Sequence, residues 1–293
     1  MNKLANVPVG GKNPVRIMGI INTSPESFYK KTIVSKKQAI SILVRKMEDD
    51  GANFIDIGGM STAPYLSTFV SEKIESKRIV EAIKIIEKVS NLPISVDTCR
   101  ASVANDALEE GADIINDISG LKFDKKMLRV IEKHQPSLVL CAFSKKLVTG
   151  NQLNKTKELL KTSLSLARSG GISPKKIVID PAIGFFRKKG TGPFFTKINS
   201  DWFERDLLIL NNLKSLKMNQ PLLVSVSNKS FIGKILKKDN PKDRLFGSVV
   251  AEAISVLNGA EIIRTHNVYE TKQAIAVAQS LAQKKPRKAY NTS

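Results

Sequence analysis

The sequence predicts an α/β fold with a single domain, a (β/α)8 barrel of the TIM type. Eight short apolar runs rich in Ile, Leu and Val recur along the 293 residues, as expected for strands buried on both faces of a parallel sheet. Most are separated by stretches long enough for a helix, and a barrel of eight such units needs roughly 250 residues. The runs are Val15–Asn22, Phe54–Gly58, Ile94–Asp97, Ile114–Asp117, Leu138–Ala142, Ile177–Asp180, Leu222–Ser225 and Ile262–His266.

The stretches between the runs contain signals of helix ends. A glycine ends the first of them, because glycine readily adopts the left-handed conformation that follows a helix. The longest irregular stretch follows the sixth run and extends to about Phe195, which is typical of a binding loop on a barrel. The barrel is expected to occupy residues 1–283, followed by a basic, frayed tail at 284–293. The predicted helices are Ser35–Gly51, Ser71–Ser90, Arg100–Gly111, Leu153–Ser169 and Tyr269–Ala282.

The composition is that of a folded protein without a membrane span. Hydrophobic residues make up 42% of the chain, which is enough for a sizeable core. The sequence has no apolar run of about 18 residues, as a membrane helix requires, and its N-terminus lacks the apolar stretch of a signal peptide. Cys99 and Cys141 alone cannot build a disulfide framework or a four-ligand zinc site. We therefore expect a reduced cytoplasmic protein.

The chain carries a formal net charge of +20, from 47 Lys and Arg against 27 Asp and Glu. Such an excess attracts anions, nucleic acid among them. The lysines are scattered, however, and the sequence has no helix-turn-helix pattern, zinc finger or aromatic-basic RNA motif. A phosphorylated small substrate or a solvated lysine-rich surface explains the charge equally well, so no specific nucleic-acid partner is expected.

Polar residues end most of the apolar runs. Because a barrel places its chemistry at the carboxyl ends of its strands, Asp97, Asn116, Asp180 and Lys229 are expected to converge on one cavity. Two carboxylates, an amide and an ammonium suit a flat polar heterocycle, since a carboxylate accepts two parallel N–H bonds from an amino-pyrimidine edge. The alternative interpretation is that these groups cap helices or tie strand ends together.

A second polar group comes from the first and last runs, which are neighbours when the barrel closes. Arg264 offers a planar fork for phosphate oxygens, and His266, on the same side of the strand, can donate to them or relay a proton. Asn22 can ligate Mg²⁺ through its side-chain oxygen. These three residues indicate a pyrophosphate site, whereas Asp56, inside the second run, is interpreted as scaffold.

Seven sequence blocks at predicted strand ends form an ordered set. They are Met18–Asn22 with Ser24–Phe28, Ile55–Gly59 with Ser61–Thr62, Ser95–Thr98, Gly111–Gly120, Asp180–Pro181, Lys229–Gly233 and Arg264–His266. Each block alone is weak, but the set in this order is highly specific. Over essentially its whole length, the chain resembles the dihydropteroate synthase family.

The resemblance implies a (β/α)8-barrel transferase. Such an enzyme condenses (7,8-dihydropterin-6-yl)methyl diphosphate with a p-aminobenzoate-type arylamine and releases pyrophosphate, in folate or methanopterin-type pterin biosynthesis. The resemblance also implies Mg²⁺ as a cofactor and a homodimer as the assembly.

Site residues follow from the resemblance position by position. The implied pterin-binding groups are Asp97, Asn116, Asp180 and Lys229. The implied pyrophosphate-binding groups are Asn22, Thr62, Arg264 and His266. Positions near the arylamine are Phe28, Pro64 and Ser230. Asp180 and Lys229 are the implied catalytic pair, and Asn22 is the implied metal ligand.

The chain departs from the family pattern around the mouth of the predicted site. Where family members carry arginines that help to bind anions, this chain has Ala63 and Asn228. New cations are predicted at the same mouth, at Lys30, Lys31 and Arg187–Lys189. We therefore hypothesise a changed acceptor, such as a larger arylamine that bears a ribose phosphate.

Three other functions are compatible with the sequence. A pterin-binding methyltransferase barrel, which moves a methyl group from a reduced folate to a corrinoid, shares the pterin-side Asp and Asn groups. It has no need, however, of the Lys229–Gly233 block together with the Arg264–His266 block. A non-catalytic pterin-binding paralogue would explain the two missing arginines. Nucleic-acid binding through the surface charge would depend strongly on salt.

Overall fold

The structure is a computed structural model that describes residues 1–23, 36–60, 70–189 and 194–283. Outside the described residues lie three predicted site residues, three positions used in the acceptor hypothesis and the predicted tail: Phe28, Thr62, Pro64, Lys30, Lys31, Ala63 and 284–293.

Short and long strands alternate with helices along the described chain. The strands are β1 (Lys3–Leu4), β2 (Val7–Pro8), β3 (Arg16–Asn22), β4 (Phe54–Gly58), β5 (Ile94–Asp97), β6 (Ile114–Asp117), β7 (Ser137–Cys141), β8 (Ile177–Asp180), β9 (Phe186–Arg187), β10 (Thr196–Lys197), β11 (Leu223–Val224) and β12 (Ile262–Thr265). The helices are α1 (Lys36–Asp50), α2 (Glu72–Ile86), α3 (Ala101–Glu109), α4 (Met127–His134), α5 (Gln152–Ser169), α6 (Trp202–Asn211), α7 (Ser230–Leu236), α8 (Leu245–Leu257) and α9 (Val268–Gln283).

Eight parallel strands of the described chain form the central sheet, and each falls on one of the eight predicted runs. Their order is β11-β12-β3-β4-β5-β6-β7-β8. A parallel bridge between Ile179 and Leu222 joins the two edges, and the amide of Ile179 donates to the carbonyl of Pro221 at 3.0 Å. The sheet therefore closes on itself, and the prediction of a (β/α)8 barrel is confirmed.

Helices pack around the outside of the sheet, and the five predicted ones correspond to α1, α2, α3, α5 and α9. Local signals set their ends. The Ser71 hydroxyl accepts a hydrogen bond from the amide of Ile74 and caps α2, while Gly51, with a φ of +101°, directly follows α1. In the described parts of the chain, no helix is long and apolar enough to cross a membrane.

An N-terminal hairpin of β1 and β2 plugs one end of the barrel. Leu4 is completely buried and belongs to the cluster that fills the barrel interior with residues from seven strands. The amide of Ala5 donates to Ser137 Oγ at 2.8 Å, at the start of β7. The amino-terminal end of the barrel is therefore filled. The hairpin gives no signal in the sequence, because strands of two residues show no alternation.

The stretch after β8 contains more order than the sequence indicated. Strands β9 and β10 pair in parallel, and Ile198, just past β10, bridges to Val148 in the loop after β7. The amide of Ser144 also donates to Thr196 Oγ1 at 2.9 Å. The loops after β7 and β8 are thereby joined into one wall beside the carboxyl end of the barrel.

Candidate active site at the carboxyl end of the barrel

Strand register places three predicted site residues at one level of the barrel. Asn22 of β3 pairs with Gly58 of β4, Gly58 pairs with Asp97 of β5, and Asp97 pairs with Asn116 of β6. Asp180 is the last residue of β8. These side chains therefore start from the same end of the sheet, as the positions of the runs predicted.

Arg264 connects the two predicted groups of residues. Its Nε donates to Asp56 Oδ2 at 2.6 Å, and its Nη2 donates to Asp97 Oδ2 at 2.7 Å. Asp56 is completely buried and also accepts from Ser95 Oγ at 2.5 Å and from Asn116 Nδ2 at 3.3 Å. Arg264 thus reaches from β12 across to β4 and β5, so the pyrophosphate and pterin groups are parts of one network.

Asp56 is a residue whose contribution to the site the sequence analysis missed. It follows Phe54 by two positions and therefore faces the barrel interior, as Phe54 does. A carboxylate in that position costs free energy unless a cation and hydrogen-bond donors surround it. The sequence does contain a signal for this. Asp56 lies at an inward-facing position of an apolar strand, and a buried carboxylate there requires a cationic partner such as Arg264.

The environment of Asp97 shifts its titration towards neutrality. Burial raises the pKa of Asp97 to about 7; the positive charge of Arg264 opposes this shift, and the negative charge of Asp56 adds to it. A carboxyl group that titrates near neutral pH can accept or donate a hydrogen bond to a heterocycle.

Asp180 and Lys229 lie on either side of a tight loop. The amide of Ala182 donates to Asp180 Oδ1 at 2.7 Å. Burial raises the pKa of Asp180, while that hydrogen bond and the charge of Lys229 oppose the shift. Lys229 Nζ lies 4.0 Å from the centroid of the Phe185 ring. Burial, assisted by the positive charge of Arg264, lowers the pKa of Lys229 to about 8.

His266 lies just past β12 at the open mouth, where its side chain is exposed. Its Nδ1 is 3.1 Å from Ser227 Oγ, a partner that the sequence analysis did not single out. Desolvation by the surrounding protein, together with the positive charges of Arg264 and Lys229, lowers the pKa of His266. The imidazole is therefore neutral at pH 7 and can donate a hydrogen bond from one ring nitrogen.

Asn22, at the end of β3, has open space beside its side-chain amide. Its Oδ1 lies 3.2 Å from the point where a Cβ on Gly58 would be, so the glycine leaves room for the amide. Among the described residues, no group of three or more His, Cys, Asp or Glu could hold a metal ion. Mg²⁺ commonly binds through one or two protein oxygens together with phosphate oxygens and water.

One predicted site feature is wrong. Arg187 was interpreted as a cation at the mouth, but the structure buries it. Its guanidinium lies 4.2 Å from the centroid of the Trp202 ring, its Nη1 is 3.7 Å from Asp206 Oδ2, and it donates to the carbonyl of Phe186 at 2.9 Å. The aromatic surface next to the carboxylate draws the side chain inwards. Of the three residues of that cluster, only Lys188 and Lys189 are exposed.

Ser230 and the two cysteines complete the inventory of predicted residues. Ser230 begins α7 directly after Lys229 and is half-buried. Cys99 and Cys141 are free and buried, and burial raises the pKa of both thiols far above the usual range. Neither cysteine is a nucleophile at neutral pH.

A closed parallel barrel with buried carboxylates, an ammonium and a guanidinium at its carboxyl end has the architecture of a (β/α)8-barrel enzyme. The sequence pattern of one family, described as pterin binding enzyme, matches residues 18–266. The chain belongs to this family.

Individual relatives agree with the family assignment. The chain is 35% identical over 273 residues to the dihydropteroate synthase of a Synechocystis strain, covering 90% of this chain and 89% of that protein. It is 32% identical to the dihydropteroate synthase of Bacillus subtilis, covering 93% of this chain and 90% of that protein.

Solved structures of dihydropteroate synthases are similar as well. The Clostridium difficile enzyme, crystallised in the presence of pteroic acid, has a TM-score of 0.82 and 33% identity, with 92% of this chain and 98% of that chain covered. The Xanthomonas albilineans enzyme with 4-aminobenzoic acid has a TM-score of 0.82 and 27% identity, with 93% and 95% covered.

Proposed function

We propose that this protein is a transferase that condenses (7,8-dihydropterin-6-yl)methyl diphosphate with p-aminobenzoate and releases pyrophosphate. The observation that carries the proposal is the convergence of Asp97, Asp180, Lys229 and Arg264 at one end of a barrel of this family. The two carboxylates and Asn116 suit the amino-pyrimidine edge of the pterin, and Lys229 suits a ring carbonyl or ring nitrogen.

The chemistry places opposite charges where the bond breaks. Arg264 has one terminal nitrogen, Nη1, beyond the two nitrogens that bind Asp56 and Asp97, and this donor together with neutral His266 holds the departing pyrophosphate. Departure leaves positive charge on the pterin methylene, which the carboxylate of Asp180 stabilises. The nitrogen of the arylamine then forms the new C–N bond and loses a proton to water or to the pyrophosphate, so no protein nucleophile is needed.

We propose Mg²⁺ as the cofactor, with Asn22 Oδ1 as its protein ligand. When bound, the ion neutralises charge on the diphosphate and so makes pyrophosphate a better leaving group. The roles of Asn116, Asp180 and Lys229 towards the pterin do not depend on the ion.

The buried position of Arg187 favours p-aminobenzoate over the larger acceptor. The hypothesis of a phosphorylated ribosyl arylamine relied on extra cations at the mouth, and Arg187 is engaged by Trp202 and Asp206 instead. Lys188 and Lys189 keep the alternative open. In support of p-aminobenzoate, the Xanthomonas albilineans relative was solved with 4-aminobenzoic acid.

A two-acceptor assay tests the function. The wild-type protein is supplied with the dihydropterin diphosphate, Mg²⁺ and either p-aminobenzoate or its phosphorylated ribosyl derivative, and pyrophosphate release and the condensed product are measured. We expect turnover with p-aminobenzoate, and a loss of about 10²- to 10³-fold in Asp180→Asn. Turnover with neither acceptor would refute the function. Efficient use of the phosphorylated amine alone would refute the choice of acceptor.

We also propose a homodimer formed through α8 and α9. Helix α8 exposes apolar residues along one face, at positions spaced by three or four, and α9, which packs against α8, exposes more. These residues, which we call the apolar face, are Phe246, Val250, Ile254 and Leu257 of α8 and Val277 and Leu281 of α9. A second copy of this chain would cover them.

For the location of the protein we propose the cytoplasm, where thiols such as those of Cys99 and Cys141 stay reduced. Fractionation of cells that express the full chain would test this, and recovery in a secreted or membrane fraction would contradict it.

A further inference from the structure

The backbone of the loop after β8 contacts the side chains of both Asp180 and Lys229. Ala182 and Gly184 both adopt the left-handed conformation, with φ of +57° and +86°. The amide of Ala182 donates to Asp180, and the stem of Lys229 lies so close to Gly184 that a Cβ there would be 2.9 Å from Lys229 Cδ. The orientation of both side chains therefore depends on how this loop is held.

Helix α6 holds the loop through Arg205, whose side chain is completely buried. The guanidinium donates to the carbonyl oxygens of Pro181 at 2.7 Å and Ala182 at 3.2 Å, and to Thr156 Oγ1 at 3.2 Å. It also lies 3.8 Å from the centroid of the Phe186 ring. Because the guanidinium is rigid and planar, these bonds fix the peptide planes on both sides of Ala182. One of these planes carries the N–H that binds Asp180.

Asp206, the next residue of α6, completes the attachment. Its Oδ1 accepts from Arg205 at 3.0 Å, and its Oδ2 accepts from the amide of Gly184 at 3.1 Å. Arg187 Nη1 lies 3.7 Å from the same Oδ2. A carboxylate with no solvent exposure needs such partners, and these partners tie it to the residue against which Lys229 lies.

Charged groups face Lys229 from several elements. They are Asp97 of β5, Asp180 of β8, Arg187 of β9, Asp206 of α6 and Arg264 of β12. The neutral imidazole of His266, just past β12, is a further titratable neighbour. Burial lowers the pKa of Lys229 most, the charge of Arg187 acts in the same direction, and the charge of Asp206 acts against it. Arg187 and Asp206 thus influence the ammonium in opposite directions from behind the loop.

We propose that Arg205 and Asp206 are positioning residues that hold the Ala182–Gly184 loop beneath Asp180 and Lys229 and set the charge around the lysine. Their importance for turnover rests on the proposed function, whereas their effect on Lys229 does not.

Two substitutions should shift the pKa of Lys229 in opposite directions, which a merely structural role would not do. Asp206→Asn removes the negative charge, so the pKa of Lys229 should fall. The amide keeps one acceptor oxygen for Gly184, and its NH2 group replaces the oxygen that accepts from Arg205. Arg187→Met removes a positive charge, so the pKa of Lys229 should rise. Acetic anhydride reacts with the uncharged amine, so the fraction of Lys229 that it labels rises with pH around the pKa. Mass spectrometry of the full chain measures this fraction, and the measurement needs no enzymatic turnover.

Matched controls separate local from general charge effects. Glu204→Gln and Lys188→Met make the same charge changes at exposed residues within two positions of those tested, and they should leave the labelling profile of Lys229 unchanged. Near-ultraviolet circular dichroism checks that each variant is folded. If Asp206→Asn does not fold, the kcat of Arg205→Lys still tests the positioning role, because Arg205 itself binds the loop. A Lys229 profile that stays at the wild-type position, or that shifts equally in the controls, would overturn the proposal.

Kinetics then test the positioning role. Asp206→Asn and Arg205→Lys should lower kcat by about 10- to 100-fold with smaller effects on KM, since a displacement of about 1 Å can cost that much. Wild-type kcat in both folded variants would overturn the positioning role. A wild-type protein that releases no pyrophosphate, with the labelling shifts as expected, would instead refute the proposed function and leave the charge coupling standing.

Discussion

Each buried charge at the carboxyl end of the barrel has a residue of opposite charge nearby. Arg264 lies between Asp56 and Asp97, and the Ala182 amide holds Asp180 opposite Lys229. Each charge is stable in the barrel only because its neighbours compensate for lost hydration. A consequence is that the pKa values of several groups move towards neutral pH, where a small change in environment alters their charge.

Lys229 should give the activity an alkaline limit. Because its folded-state pKa of about 8 lies below the ordinary 10.5, the ammonium is present below pH 8 and is lost as the pH rises through about 8. Activity that needs the ammonium should therefore fall in that range. The measurement is kcat/KM against pH for the wild type and Lys229→Arg, whose guanidinium stays protonated. The arginine variant should keep its lower activity to higher pH. Identical alkaline limbs in the two proteins would contradict the assignment.

Loops and short strands support the barrel at both of its ends. The hairpin of β1 and β2 fills the amino-terminal end, and the wall formed by β9 and β10 lies beside the carboxyl end. Helix α6 attaches the loop after β8 from outside through Arg205 and Asp206. The N-terminal hairpin, the irregular stretch after β8 and helix α6 therefore all support the ends of the barrel strands.

The hairpin should contribute to stability and not to catalysis. Leu4→Ala should lower the free energy of unfolding by about 2–4 kcal/mol, because it removes a completely buried side chain from a packed interior. KM should stay unchanged, since the site is at the other end of the barrel. Denaturant unfolding and steady-state kinetics measure the two effects, with Lys3→Ala, at an exposed neighbour, as control. An equal loss of stability in both variants would contradict the plug role.

Two surface properties belong to the molecule as a whole. The net charge of +20 raises the local concentration of anions, and both proposed substrates are anionic, so their association should slow as salt rises. The apolar face on α8 and α9 contrasts with this charged surface, because Phe246 is 84% exposed and Leu281 is 64% exposed. A contiguous exposed apolar surface of this kind is typical of a site that packs against another protein surface.

The dimer can be dissociated by adding charge to this face. Phe246→Glu combined with Val250→Glu should convert a dimer into a monomer, because two charges would have to be desolvated in each copy. Sedimentation equilibrium across a range of concentrations measures the change. Ile42→Glu provides the control, since Ile42 of α1 is 61% exposed and lies outside the apolar face. A monomeric wild type, or a double variant that remains dimeric, would contradict the proposed interface.

Local features of the chain are enough to predict the barrel and the level at which its polar residues lie. Eight apolar runs buried on both faces leave few arrangements other than a closed parallel sheet, and the residues that end them must then share one rim. Asn22, Asp97, Asn116 and Asp180 were located correctly on that reasoning, because strand position is a local property of the chain.

The pairing of the charged residues, in contrast, depends on how the folded chain packs. Arg264 pairs with Asp56, which lies 208 positions away along the chain, and Arg187 turns inwards to Trp202 and Asp206 instead of lining the mouth. The physical reason is that desolvation makes each buried charge depend on whichever partner lies within hydrogen-bond reach, and that distance is set by packing across the barrel. No local pattern in the sequence contains it.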